Sequence, residues 1–238
     1  PPLPPLVVPP RGQILSRLRV GQADVHVYRQ ILVSMDATIA ILEMAEADQN
    51  KTEMIESLMT IIEYETNWRS DPKVLLEKCK NVKERMEKVI LTDGEDRISI
   101  SNKFVHERFL TENEKWRGSV KVSSAKDEYD KVYETARTLE DAVAEDFWCL
   151  TSTCEPTPKI PVVYDQYNNL VVLRDTNTLT GKNKDDYFHS KDRFGKTTKY
   201  YTTNRVQDAL NSYLEACAAA QRKVANVLIE LSEDICQE

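Results

Sequence analysis

The sequence predicts a mainly α-helical protein, in which a helical core bundle is followed by a long antiparallel helical stalk that carries a small β-rich tip. Three observations predict this fold class. The chain of 238 residues contains only 6 glycines, which disfavours a turn-rich β architecture. Prolines are absent from residues 11–71 and 162–238, so long helices can run there. Apolar residues recur at steps of three and four through much of both stretches.

The composition argues against several classes of protein. Charged residues make up 30% of the chain and interrupt every apolar run that could span a bilayer, so we expect neither a transmembrane helix nor a secretory signal. The 5 cysteines form no Cys-x-x-Cys pair and the 3 histidines are far apart in sequence, which disfavours a zinc site and a disulfide scaffold and favours a reducing compartment.

Motifs for catalysis are also missing. Gly195-Lys-Thr-Thr198 resembles the end of a phosphate-binding loop, but Ser190 and Lys191 stand where the leading glycine is needed. The carboxylates show no pattern that pairs two of them on one helix face. We therefore expect this chain to have no catalytic residues, no metal site and no cofactor of its own.

The core is predicted over residues 11–123, after a proline-rich arm or linker at 1–10. Asp71-Pro72 places a proline at the first position of a helix, where it is tolerated. Gly118 is expected to end another helix. The elements predicted in the core are helices over about 24–47, 54–64, 72–90 and 104–116 and a short strand over 97–101.

Two heptad-like stripes predict the stalk. Its outgoing helix occupies 124–155 and begins at a capping box, Ser124 to Asp127, and its returning helix occupies 204–238. The stripe residues are expected to be core side chains rather than cofactor contacts. They are Tyr129, Val132, Ala136, Leu139, Val143, Phe147 and Leu150 in the outgoing helix, and Val206, Leu210, Tyr213, Cys217, Ala220, Val224, Val227 and Leu231 in the returning helix.

The segment 156–203 between the two helices is predicted to form the tip. It contains β-rich runs at 160–164, 170–174 and 198–202, the first two joined by a tight turn. From Gly181 to Arg205, seven basic residues oppose three acidic ones and give a net charge of +4, so the rest of the chain carries -11 of the total of -7. Basic residues interleaved with aromatic ones are typical of a nucleic-acid contact, although a solvated loop of mixed charge is the alternative. The candidate DNA-backbone residues are Lys182, Lys184, Lys191, Arg193, Lys196 and Lys199.

The order of these parts resembles the MutS family of DNA mismatch-repair ATPases over its core, lever and clamp regions. Ile14 to Leu18 looks like the start of the family's core, and Ser123 to Asp130 looks like the start of its outgoing lever helix. Phe194 to Arg205 is similar to the clamp segment that precedes the returning lever helix. The run Lys199 to Thr203 most resembles the eukaryotic mismatch-binding branch, MutS homologue six.

The resemblance implies a nuclear DNA-binding segment. Its clamp would hold double-stranded DNA by phosphate contacts without reading sequence, and its lever helices would relay binding to ATPase domains outside this chain. ATP and magnesium are implied for those domains, and a second MutS homologue is implied as heterodimer partner. The family's Phe-x-Glu mismatch wedge and its Walker motifs are absent from this sequence, so we expect a fragment or a stand-alone relative that neither recognises a mismatch nor hydrolyses ATP by itself.

Two other interpretations stay open at the level of the sequence. An acidic coiled-coil interaction or scaffold module without DNA binding would explain the heptads and the acidic remainder equally well. It would leave unexplained why basic residues concentrate at the tip, so salt-sensitive DNA binding discriminates the two. An undetected enzyme is the third interpretation, and a nucleotide-hydrolysis assay discriminates it.

Overall fold

The computed structural model describes residues 11–47, 72–92, 105, 107–148, 162–165, 170–173, 186–191 and 194–236. These residues are mainly helical, with a small antiparallel sheet, as predicted. The helices are α1 (Arg11–Arg19), α2 (Val25–Ala47), α3 (Pro72–Val89), α4 (Glu107–Asn113), α5 (Lys126–Trp148) and α6 (Asn204–Cys236). The strands are β1 (Val162–Asp165), β2 (Leu170–Leu173), β3 (Tyr187–Lys191) and β4 (Thr197–Thr203).

The chain divides into two compact units. The described residues up to 92 join 119–124 and 225–236 in the first unit, and the described residues of 105–118 and 125–224 form the second. Helix α6 contributes residues to both units.

The first unit buries one apolar cluster. Tyr28, Met86 and Ile90 have no exposed surface within it. Polar groups of α1, α2 and α6 are satisfied at its margin, because the Tyr28 hydroxyl donates to the Leu228 carbonyl at 2.6 Å and the Ser232 hydroxyl donates to the Leu18 carbonyl. The buried members of the cluster are Ile14, Leu18, Ala23, Val27, Tyr28, Leu32, Val82, Met86, Ile90 and Leu231.

Local sequence explains where the helices of this unit begin. Asp24 Oδ1 accepts a hydrogen bond of 3.0 Å from the Val27 amide, so a side chain caps α2. Pro72 is the first residue of α3, as the sequence predicts. Helices α2 and α3 pack together, and ion pairs of Lys83 with Asp36 (2.5 Å) and of Lys80 with Glu43 (2.6 Å) line their contact.

Helix α2 is long and apolar enough over Val25–Met44 to cross a membrane, by length and composition alone, with a mean hydropathy of 1.2. One such helix is a weak indication, since core helices of soluble proteins pass the same test. Its polar side chains have partners within the first unit: the Arg29 guanidinium donates to the Leu91 carbonyl at 2.7 and 3.0 Å, and Asp36 pairs with Lys83. Val27, Tyr28 and Leu32 of α2 belong to the buried cluster of this unit.

The segment after α4 differs from the prediction. Helix α4 is shorter than the expected 104–116, and turns follow it up to Gly118, which has a φ of 81°. The chain then runs beside the end of α3, where Ile90 and Val120 form an antiparallel bridge and the Lys121 amide donates to the Val89 carbonyl at 2.8 Å. A glycine that accepts positive φ permits this reversal.

The second unit buries the described stripe residues of α5 and those of α6 up to Val224, whereas Val227 and Leu231 are buried in the first unit. Leu139, Val206 and Tyr213 have no exposed surface, and Leu210 is 1% exposed. Helix α6 begins at Asn204, as predicted, and α5 begins at Lys126, two residues after Ser124. The stripe positions Phe147 and Leu150 lie outside the described side chains.

The four strands form one antiparallel sheet in the order β1-β2-β4-β3. The strands β1, β2 and β4 match the three predicted runs. Strand β3 was not predicted, because its residues lie in a segment that was expected to form a charged loop. Its partner is β4, in a register that pairs Tyr187 with Thr203, His189 with Tyr201 and Lys191 with Thr197.

Several predictions fall on parts of the chain that the structure does not describe. These are the proline-rich arm at 1–10, the helix at 54–64, the strand at 97–101, the end of the outgoing helix after 148 and the turn at 166–169.

Leu210→Ala tests the burial of the returning stripe. Removing a fully buried leucine side chain should lower the free energy of unfolding by about 2–5 kcal/mol. The matched control is Leu15→Ala, because Leu15 is half exposed. This replacement should lower the free energy of unfolding by less than about 1 kcal/mol. Urea denaturation followed by circular dichroism measures both. Equal small losses would contradict the burial of α6 at this position.

Candidate nucleic-acid interface

The hairpin of β3 and β4 carries the described candidate residues. Lys191 is the last residue of β3, Lys196 directly precedes β4, and Lys199 lies within β4. Lys191 pairs in register with Thr197, so Lys191 and Lys196 stand on the two arms of the same turn. Both are exposed. We call Lys191, Phe194, Gly195 and Lys196 the hairpin end.

The remaining candidates cannot be located at this end. Lys182, Lys184 and Arg193 lie outside the described residues, and of Lys199 only the backbone is described. The structure thus brings two of the six candidate lysines and arginines together.

Gly195 shapes the turn of the hairpin end. It has a φ of 77°, which a residue with a side chain adopts only under strain. Phe194, in the middle of the connection 192–196, is 79% exposed. The hairpin end therefore contains one exposed aromatic ring and two exposed lysines, one on each arm of the turn.

Opposite this end, the hairpin base is fixed to the last turns of α5. Tyr187 and Thr203, which face each other in the register, both bond to Asp146: the Tyr187 hydroxyl donates to the Asp146 carbonyl, and the Thr203 hydroxyl donates to Asp146 Oδ2 at 2.5 Å. The same Thr203 oxygen accepts from the Val206 amide at 3.1 Å and so caps α6. One buried hydroxyl thus ties the hairpin, α5 and α6 together.

Arg205 belongs to this base and not to the hairpin end. Its guanidinium forms an ion pair with Glu145 and lies 3.9 Å from Asp146 Oδ1. The hydrogen bond to Glu145 raises the pKa of Arg205 further above its usual range. Arg205 contributes to the basic window of the sequence, but its charge is matched locally by α5.

Between base and end, the rings of His189 and Tyr201 stack across the two strands. Their centroids are 4.2 Å apart with an interplanar angle of 32°. The two residues are cross-strand partners, and such aromatic pairs stabilise a sheet. The stack supports the hairpin where its register shifts, between His189 and Lys191.

A buried polar cluster lies elsewhere in the second unit. Glu114 accepts from Arg117 Nε at 2.5 Å and from the Tyr213 hydroxyl at 2.9 Å. The Arg117 guanidinium lies 5.4 Å from the ring centroid of Trp116 and 5.5 Å from that of Tyr129. The side chains of Arg117 and Glu114 are only 9% and 8% exposed, and Nη1 and Nη2 of Arg117 are buried without a hydrogen-bond partner among the described residues.

Two titratable side chains of this cluster, Tyr213 and Cys217, have raised pKa values. Burial raises the pKa of Tyr213 far above its usual range, and the negative charge of the Glu114 carboxylate raises it further. Burial also raises the pKa of the Cys217 thiol to about 12. A protonated thiol is a poor nucleophile and a poor metal ligand. Among the described residues, no group of three or more His, Cys, Asp and Glu side chains could hold a metal ion.

Thr203→Val tests the junction at the hairpin base. It removes the cap of α6 and the bond to Asp146 while keeping the branched shape, and should lower the free energy of unfolding by about 1–3 kcal/mol. The control is Thr138→Val, because the Thr138 hydroxyl bonds to the Glu134 carbonyl of its own helix. Amide hydrogen exchange should become faster over 187–191 and 197–206 in the first variant only. Unchanged exchange there would contradict the coupling.

The Cys217 thiol should resist alkylation in the folded protein. With a pKa of about 12, its thiolate fraction at pH 8 is about one in ten thousand, and burial excludes the reagent. The exposed Cys236 is the internal control and should react with iodoacetamide within minutes. Peptide mass spectrometry distinguishes the two sites. Because the folded-state pKa is raised, reaction should increase only as the pH approaches 12 or as the protein unfolds.

The comparisons with known proteins identify no relative of this chain. Neither the family models, nor the curated proteins, nor the solved structures contain a match to this chain.

Proposed function

We propose that this chain is a DNA clamp and lever segment of a MutS-like mismatch-repair protein. In this proposal the hairpin end holds duplex DNA by sequence-independent phosphate contacts, and α5 and α6 relay binding to ATPase domains outside this chain. The observation that carries it is the position of two exposed lysines on the arms of one turn, in a hairpin whose base is fixed to both helices.

The charges of the hairpin support a phosphate contact. Lys191 and Lys196 are exposed at the hairpin end, and Arg205 forms an ion pair with Glu145 at the base. Lysine is a flexible point charge, so it suits phosphates of any sequence better than the edge of one particular base.

The junction at the base supports the relay. Strand β4 ends at Thr203 and α6 begins at Asn204, with no residue between them. A load on the hairpin end would therefore act directly on the first turn of α6 and, through Asp146, on the last turns of α5. The partners and nuclear location implied by the resemblance belong to the same proposal.

The test is the salt dependence of DNA binding by the 238-residue chain. Fluorescence anisotropy on matched and mismatched duplexes should give a Kd of about 10⁻⁴–10⁻⁶ M near physiological salt, the same for both duplexes. Replacing Lys191, Arg193 and Lys196 by Glu should weaken binding to every sequence alike. Each lost phosphate contact should reduce the log-log salt slope by about 0.9.

Lys126→Glu is the matched control, since Lys126 is an exposed lysine of the second unit at the start of α5. It should leave the slope unchanged. Equal binding by wild type and the triple variant, or no binding by either, would favour the acidic scaffold module instead. A clear preference for mismatched duplex would contradict the proposed phosphate contact.

A further inference from the structure

Phe194 is the large apolar side chain with the greatest exposed fraction among the described residues, at 79%. It lies at the middle of the connection between Lys191 and Thr197, which are paired across the hairpin. The side chain is therefore exposed in the connection between the two paired strands. Burying an exposed phenylalanine ring stabilises a complex by about 1.5–3 kcal/mol.

The two lysines beside it indicate the chemistry of the surface that would bury the ring. Lys191 and Lys196 are exposed and stand on opposite arms of the turn. An apolar group between two cations complements a narrow apolar cleft between two rows of negative charge. The DNA minor groove has this arrangement, because apolar faces of deoxyribose line its walls, base edges form its floor and phosphates border both sides.

Dimensions agree with this assignment. The minor groove is about 6 Å wide, which admits a side chain but not an α-helix. Paired strands are about 4.8 Å apart, so a lysine on each arm can reach the phosphates on either side of a ring inserted between them. Proteins that bind this groove frequently insert a phenylalanine or another apolar wedge there.

We propose that Phe194 enters the minor groove of duplex DNA and contacts deoxyribose and base edges, between phosphate contacts of Lys191 and Lys196. This rests on the proposed function and adds a contact that the phosphate-only clamp lacks. The ring adds affinity without adding sequence selectivity, since every base pair presents sugars and a groove floor. Its contribution displaces no counterions from the DNA and is therefore independent of salt.

Salt dependence separates this contact from the lysine contacts. Phe194→Ala should reduce the association constant by about 10- to 100-fold at every salt concentration and leave the log-log slope unchanged. Lys191→Ala and Lys196→Ala should each reduce the slope by about 0.9. Phe188→Ala is the aromatic control, because Phe188 is partly exposed on β3 outside the turn, and should change neither quantity. Circular dichroism confirms that each variant is folded.

A minor-groove ligand identifies the groove. On an A·T-rich duplex saturated with netropsin, wild-type binding should fall to the level of Phe194→Ala, whereas that variant should lose little more. The inference would be overturned by unchanged wild-type binding in netropsin or by an unchanged association constant for Phe194→Ala. In either case, lowered slopes in the lysine variants would still support the clamp. No DNA binding by the wild type would overturn both. Phe194-dependent binding to anionic lipid vesicles without binding to DNA would assign the hairpin end to a membrane surface and overturn the inference as well.

Discussion

The apolar stripe of α6 is the constraint on which the rest of the structure depends. A helix of 33 residues with a continuous stripe cannot bury that stripe on itself, so other elements must cover it along its length. The stripe residues from Val206 to Val224 are buried in one compact unit and Leu231 is buried in the other. Each unit also supplies polar partners to the helix: Thr203 caps its start, Glu114 meets Tyr213, and Tyr28 bonds to the Leu228 carbonyl.

The hairpin divides polar roles between its two ends. At the base, the hydroxyls of Tyr187 and Thr203 donate hydrogen bonds to Asp146, and Arg205 forms an ion pair with Glu145. At the end, the described lysines and Phe194 remain exposed. Side chains that are close in sequence thus position the hairpin or face solvent according to which end they occupy. A count of charges along the chain does not make that distinction.

Sequence periodicity predicted the long helices because burial of one face imposes steps of three and four. Helices α2, α3, α5 and α6 follow this pattern, and Leu139 and Leu210 are buried where it expects them. Strand β3 escaped prediction because Phe188, His189 and Ser190 show no apolar alternation, and the pairing with β4 is a tertiary property.

The candidate site was predictable to a smaller extent. Lys191 and Lys196 could be identified from charge, and a threonine before an apolar helix is a recognisable cap at Thr203. Asp146 gave no such signal, since it meets Thr203 across 57 positions of the chain. The exposure of Phe194 depends on the turn at Gly195. The ion pair of Arg205 depends on the position of Glu145 in α5. These are properties of the folded arrangement rather than of local sequence.

The direct passage from β4 into α6 restricts how this protein can change in length during evolution. One residue inserted between Thr203 and Asn204 would rotate the hairpin by about 100° around the helix axis and advance it by about 1.5 Å. The Thr203 hydroxyl would then miss either Asp146 or the Val206 amide. Insertions in the connection 192–196 would leave this junction intact. Orthologues should therefore vary in length at the outer turn of the hairpin and keep a constant length where the strand becomes the helix.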